Sequence, residues 1–189
     1  MSATVVEVSS RGILQGQPDH DFQPWRGIAG EGKQLRFWNV RTSAKRCVCS
    51  ISEPQNFVRW TQGGQSGFNS HFADFGEVVI ASNANGGGPF SVAFDPPVSA
   101  LGLDLEAVPA GITPGQKYRV ELDVVDSDGS HHMFEKLGTV QSAVFLGIEA
   151  DAEAIAALTA RAFLLEGGAQ TPVDFCLNRI DLRIVGPIS

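Results

Sequence analysis

Lys117-Tyr118-Arg119-Val120-Glu121-Leu122-Asp123-Val124-Val125-Asp126-Ser127-Asp128-Gly129-Ser130-His131 is the stretch that decides the fold. Tyr118, Val120, Leu122 and Val124 alternate with Arg119, Glu121 and Asp123. A period of two puts one strand face in a core and the other in water. Asp126-Ser127-Asp128-Gly129 reads as a tight turn, with Gly129 where the backbone needs a positive φ. His131 to Val140 returns from it, so the segment is a β-hairpin.

The same alternation recurs on both sides. Leu101, Leu103 and Leu105 alternate with Gly102, Asp104 and Glu106, and Phe90, Val92 and Phe94 with Ser91, Ala93 and Asp95. Pro96-Pro97 is expected to stop the latter strand, because proline donates no ladder hydrogen bond. Val144, Leu146 and Ile148 follow the hairpin, and a last strand is expected from about Val173 to Ile184. Upstream, strands are expected at Val5 to Val8, Leu35 to Val40, Cys47 to Ile51, Phe57 to Trp60 and Val78 to Ser82. Arg11 to Gly32 and Thr61 to Phe75 read as long connections, and loops beyond ~12–15 residues tend to carry function or be disordered.

Asp151 to Leu165 supports two readings. Propensity gives a helix with Asp151 as N-cap and Ile155, Leu158, Ala162 and Leu165 as its apolar stripe. Alternation sets Ala156, Leu158, Ala160, Ala162 and Leu164 against Thr159 and Arg161. We expect a helical turn at Asp151 to Glu153 and a strand from Ile155, confining any helix to a short one near 151–158. Eight or more strands spaced by turns imply an all-β fold, a jelly-roll β-sandwich of two antiparallel sheets. Its 189 residues fit a single domain, with 1–32 a partly irregular amino-terminal segment.

Charge and composition exclude several partners. Fourteen Lys and Arg face twenty-one Asp and Glu, a net charge of -7, which argues against nucleic acid. The one basic run, Arg36 to Arg46, is broken by Phe37, Trp38 and Val40 and reads as a solvated strand face. An acidic surface suits neutral or cationic ligands and divalent cations. Nothing approaches the ~18 consecutive apolar residues that span a bilayer. Met1 to Ser10 lacks the charged start and apolar stretch of a signal peptide. Of three cysteines, Cys47 and Cys49 share a strand face and cannot readily bridge each other, while a Cys49–Cys176 bridge stays open.

The run Pro89-Phe90-Ser91-Val92-Ala93-Phe94-Asp95-Pro96-Pro97-Val98-Ser99-Ala100-Leu101-Gly102 resembles a recurrent bacterial pattern, a "tFdxPVsgfG" strand pair. There a "YDsdG" hairpin, an "FxGv" strand and a closing "DFaixxixl" strand follow in order. Here the order is Val125-Asp126-Ser127-Asp128-Gly129, then Phe145-Leu146-Gly147-Ile148, then Asp174-Phe175-Cys176-Leu177-Asn178-Arg179-Ile180-Asp181-Leu182. The likeness covers about half of the chain. These proteins form a mostly exported β-sandwich family similar to galactose-binding-like and carbohydrate-binding jelly rolls. The resemblance implies export to the extracellular space or periplasm, although this chain lacks the carboxy-terminal sorting tail of some relatives. It implies, too, a structural calcium between an early loop and the last strand. Asp19 and Asp21 flank His20 in such a loop and Asp174 opens the last strand, so these three are the expected ligands.

Other chemistry is sparse. His20 and His71 lie in the two long loops, where convergence would permit a metal site, whereas adjacent His131 and His132 point to opposite strand faces. Gly63-Gly64-Gln65-Ser66-Gly67 lacks the strand and helix of a nucleophile elbow. Gly86-Gly87-Gly88-Pro89 precedes a strand, so no helix dipole meets a phosphate. Sugars stack on flat aromatics and bond to planar polar groups, and binding groups concentrate on loops. The expected ligand-binding set is therefore Trp25, Trp60, Asn69, His71 and Asp74, with Trp25 the more exposed ring. The function expected is a non-catalytic, calcium-stabilised binding module for glycan or another extracellular polymer. A metal-dependent enzyme using loop His and Asp residues and a structural or adhesive surface protein are the alternatives.

Overall fold

The computed structural model describes residues 4–23, 25, 29–36, 39–63, 71–72, 78–82, 88–108, 113, 115–151 and 154–184. The first half contributes β1 (Val5–Val8), α1 (Arg11–Gln15), β2 (His20–Gln23), β3 (Lys33–Gln34), β4 (Asn39–Arg41), β5 (Val48–Ser52), β6 (Phe57–Thr61) and β7 (Val78–Ser82). The second contributes β8 (Phe90–Val98), β9 (Ala100–Ala107), β10 (Lys117–Asp126), β11 (His131–Thr139) and β12 (Val144–Ala150). It ends with β13 (Ile155–Glu166), β14 (Ala169–Pro172), β15 (Phe175–Leu177) and β16 (Ile180–Arg183). The first sheet runs β1-β12-β9-β15-β7-β6-β3, with β16 joining β9 to β2. The second runs β11-β10-β13-β8-β5-β4, with β14 beside β13. Every described pairing is antiparallel, so the fold is the expected β-sandwich. Among the described residues no helix is long and apolar enough to cross a membrane.

Alternation does what the sequence promises at the hairpin. Tyr118, Val120, Leu122 and Val124 are fully buried, and Arg119, Glu121 and Asp123 point outward. Gly129 turns the hairpin with φ +87. Gly138 lies directly across from Tyr118, and a Cβ there would stand 2.3 Å from the ring. Glycine thus lets the ring lie over the neighbouring strand, where the hydroxyl donates to the Ser142 carbonyl at 2.5 Å. Phe90 centres the core between the sheets, edge-on to Phe57 at 5.2 Å and to Trp25 at 6.0 Å.

Ile155–Glu166 is a strand throughout, as the alternation led us to expect, while residues 152 and 153 lie outside the described set. A register shift between Ile155 and Ala157 changes the strand's phase. Ile155 and Leu158 are then both buried although three apart, which mimics helical spacing. Four other expectations need correction. Among the described residues the α-helix is α1, within what read as an irregular connection that holds β2 as well. β8 continues through Pro96 and Pro97, because neither is registered against a residue of β5 or β13. The last strand is split. Leu177 pairs with Leu105 and Asp181 with Gly102, so β15 and β16 hold one residue more than β9 opposite them. That bulge falls at Asn178–Arg179. Leu35 and Arg36 are not strand, and the rest of the Leu35 to Val40 expectation falls partly on 37 and 38, outside the described residues.

Candidate functional site

Each sheet has an outer face, and they differ. Outward positions on β9 are Ala100, Gly102, Asp104 and Glu106, of which all but Asp104 are buried. α1 lies over Gly102, where a Cβ would stand 2.6 Å from Leu14 and 2.8 Å from Phe145. Beside it, the Arg11 guanidinium donates to Asp104 at 2.7 Å, to the Asn178 side-chain oxygen at 2.8 Å, and to Asp181. The bulge aims Asn178 at this network: its amide donates to Asp104 at 2.6 Å while its carbonyl accepts the Trp25 indole N–H at 2.7 Å. Asp181, with no exposed side-chain surface, meets His20 at 2.8 Å and Arg179 at 3.4 Å. This is an ion network that fastens α1 and β2 to the sheet.

Further along β9, Glu106 accepts the His71 backbone N–H at 2.6 Å and meets its ring nitrogen Nδ1 at 2.5 Å. Cys176 lies beside Glu106 on the paired strand, and burial pushes its thiol well above the ordinary range. Cys176 is therefore outside the first sheet, while Cys49 faces the core from the second. All three cysteines are free, and the Cys49–Cys176 bridge does not form. Cys49 hydrogen-bonds to Cys47, which together with burial holds the Cys49 thiol high.

Among the described residues, no element covers the outer face of the second sheet. Arg119, Glu121, Asp123 and Val125 on β10, and Ala157, Thr159, Arg161, Phe163 and Leu165 on β13, point outward, and none is buried. Ser91, Ala93 and Asp95 on β8 and Val48, Ser50 and Ser52 on β5 extend the face, again none buried. Cross-strand register sets rows over it. Leu137, Arg119, Phe163 and Pro172 form one, with the Arg119 guanidinium 5.6 Å from the Phe163 ring centroid. Asp123, Thr159 and Ser91 form another, with the two hydroxyls 2.9 Å apart. Ala157, Ala93 and Ser50 make a low floor between side chains that stand taller. Strands ~4.8 Å apart make the six-strand face roughly 24 Å wide, and ten-residue β10 makes it roughly 33 Å long.

The residues singled out in the sequence do not assemble. Trp25 is fully buried in the core, the opposite of the exposed ring expected of it. Trp60 is half-buried and lies over Gly32, 3.2 Å from where a Cβ would be. His71 is exposed, and Asn69 and Asp74 lie outside the described residues. Asp19 takes Arg183 at 3.2 Å. Asp21 accepts the Thr42 hydroxyl at 2.5 Å and the Ala44 N–H at 2.8 Å, pinning the turn before β5. Asp174 accepts the Ser82 hydroxyl at 3.0 Å. Asp21 is in register with Leu182 and so with Leu101, whereas Asp174 lies beyond Ala107. Some seven residues of β9 separate them, roughly 20 Å, so the three cannot share one calcium. His20 and His71 likewise bond to different carboxylates, at the Gly102 and Glu106 ends of β9. Among the described residues no three His, Cys, Asp or Glu group to hold a metal. A depression of about 200 Å³ at Thr4, Val6, Glu149, Ala150 and Asp151 is smaller than a usual small-molecule site.

Arg119, Thr159, Arg161 and Phe163, which stand on this face, were not among the candidates drawn from the sequence. The alternation had already placed Arg119, Thr159 and Arg161 outward. It carried no sign that they would stay unburied.

No family model matches the sequence, and no curated protein matches it. Solved structures do. The C-terminal family 22 carbohydrate binding module of Clostridium thermocellum Xyn10B is 12% identical over 89% of this chain and 94% of its own, with a TM-score of 0.42. The CBM22-1 xylan-binding domain of Paenibacillus barcinonensis Xyn10C is 13% identical over 74% and 86%, with a TM-score of 0.39. A family 29 carbohydrate binding module from Piromyces equi is 11% identical over 96% and 91%, with a TM-score of 0.34. The structural neighbours are thus carbohydrate-binding modules, at identities that leave this chain's ligand to be argued from its own surface.

Proposed function

We propose that this chain is a non-catalytic binding module for a polysaccharide, taken on the open outer face of the second sheet. The observation that carries the reading is that no outward residue of β10, β13, β8 or β5 is buried, although the first sheet's outer face is closed by α1, Phe145 and the Arg11 network. A long, shallow face suits an extended polymer better than a compact metabolite, which is usually enclosed. Its chemistry suits sugars: one ring with a guanidinium on it, a hydroxyl pair, and planar Arg, Glu, Asp and Gln groups. Hydroxyl-rich chains meet such groups through hydrogen bonds and apolar ring faces. A polysaccharide ligand would place the protein outside the cytoplasm. A calcium contribution would need a ligand set other than Asp19, Asp21 and Asp174 together, and a melt with chelator against one in millimolar calcium reads it.

Affinity electrophoresis against neutral and acidic polysaccharides tests the proposal. At least one polymer should retard the protein, and Phe163→Ala should weaken that binding about tenfold or more, as for a central contact. A folded protein that binds nothing in the panel ends the reading. Binding that survives Phe163→Ala unchanged removes the face from it.

A further inference from the structure

We infer that the polysaccharide bound on this face carries carboxylate-bearing sugars, and that Arg161 is the residue that reads them. The inference rests on the proposed binding function and narrows its ligand. Arg161 stands outward on β13, a central strand of the second sheet, directly across from Glu121 of β10. Glu121 is already engaged by the Arg119 guanidinium. Arg119 also meets Glu135 at 3.3 Å, donates to Gln170 at 2.8 Å and stacks on Phe163. Asp123, next along β10, is held by His131 at 2.9 Å. The nearby carboxylates are therefore matched with other partners. Arg161 has neither a hydrogen bond nor an ion pair among the described residues.

Position adds to this. On the side of β13 away from β10, pairing with β8 ends at Ala160–Phe90 and pairing with β14 begins at Phe163–Pro172. Arg161 stands at that notch, half-buried, where a long side chain can lay its stem along the sheet and keep its charged head toward solvent. A guanidinium presents a planar fork of donors that fits a carboxylate bidentately, and partial desolvation strengthens the pair. The chain's net charge of -7 weighs against a densely anionic polymer. The ligand class is therefore a largely neutral polysaccharide with spaced uronic acid residues.

The test uses one uronate-bearing polymer and the same polymer with its carboxyl groups reduced to alcohols. Affinity electrophoresis and calorimetry compare the intact protein with Arg161→Ala and Arg161→Lys. The intact protein should prefer the unreduced polymer by roughly 10- to 100-fold, the worth of a charge-assisted pair. Arg161→Ala should bind both polymers equally, at the level of the reduced one, with an unchanged melting temperature. Arg161→Lys should fall between, since it keeps the charge and loses the fork. Equal binding of both polymers by the intact protein overturns the carboxylate inference and leaves the polysaccharide reading standing. Binding of neither, nor of any neutral polymer, overturns both.

Discussion

Gly102 on β9 and Arg161 on β13 both point away from the core near the middle of their sheets, into opposite surroundings. Above Gly102 lie Leu14 and Phe145, close enough that a methyl group would collide with them, and beside it Asp181 is sealed from water. Above Arg161 there is open face. The first sheet's polar groups answer one another: Arg11 with Asp104 and Asp181, His20 with Asp181, His71 with Glu106. The second sheet's answer one another only in part. A buried polar group must be satisfied internally, whereas a half-exposed one can wait for a ligand. The contrast teaches where to look: richness in His, Asp and Arg marks the closed face, and incompleteness marks the open one.

The largest effect should come from the closed face. Asp181→Ala removes the buried carboxylate that faces Arg11, His20 and Arg179. Taking that partner from His20 and Arg179, and leaving Arg11 with Asp104 alone, should cost about 3 kcal/mol. Arg161→Ala, by contrast, should change stability by less than about 0.5 kcal/mol, as ordinary surface positions do. Urea unfolding of the two variants measures both. Similar losses would mean that Arg161 is structural and that the faces do not differ as described.

Trp60 sharpens the same comparison. Its half-buried ring rests on Gly32, beside Phe72 and Val79 at the margin of the first sheet. Fully buried Trp→Ala changes cost ~3–5 kcal/mol, so a ring only partly buried should cost about 2. Polysaccharide affinity should stay within about twofold of the intact protein. A large loss of affinity with little loss of stability would move the ligand to the margin of the first sheet.

The sequence carried the strands better than the faces. Tyr118 to Val124 and Leu101 to Leu105 showed their inward sides by period alone, because successive side chains of a strand point to opposite faces. Ile155 to Leu165 showed its strand by alternation as well, but kept a rival helical stripe because a bulge changes parity without leaving a proline or glycine behind. α1 was invisible for a different reason: five residues carry too few turns to show a stripe, and Arg11 anchors it through partners 93 to 170 positions away. Trp25 looked exposed between Pro24 and Arg26, yet its indole N–H had a buried carbonyl waiting at Asn178. What covers a sheet is decided by such long-range pairings. A single sequence holds the residues and not their meeting, and so Arg161 read as one outward residue among many.

The smallest effect is one of shape with pH. Asp126 closes the β10–β11 hairpin at one end of the open face. Its carboxylate takes His132 at 3.0 Å and accepts backbone N–H groups of Asp128 and Ser130. The His132 side chain, then the contacts from Asp128 and Ser130, hold the Asp126 carboxyl below the usual carboxylate range. A carboxylate whose pKa is lower folded than unfolded stabilises the fold at pH values above the unfolded pKa, near ~3.9. That contribution is lost as pH falls from there through the folded value. Asp126→Asn keeps an oxygen for the backbone donors and cannot ionise. It should therefore melt below the intact protein at pH 7, by a margin that narrows steadily once the pH drops below about 4. Binding on the open face, measured at pH 7, should be unchanged, since Asp126 points to the core side of β10. A margin that stays constant from pH 7 to pH 2 would show that the hairpin is held by turn geometry alone, and that its charge pair contributes nothing to the stability of the open sheet.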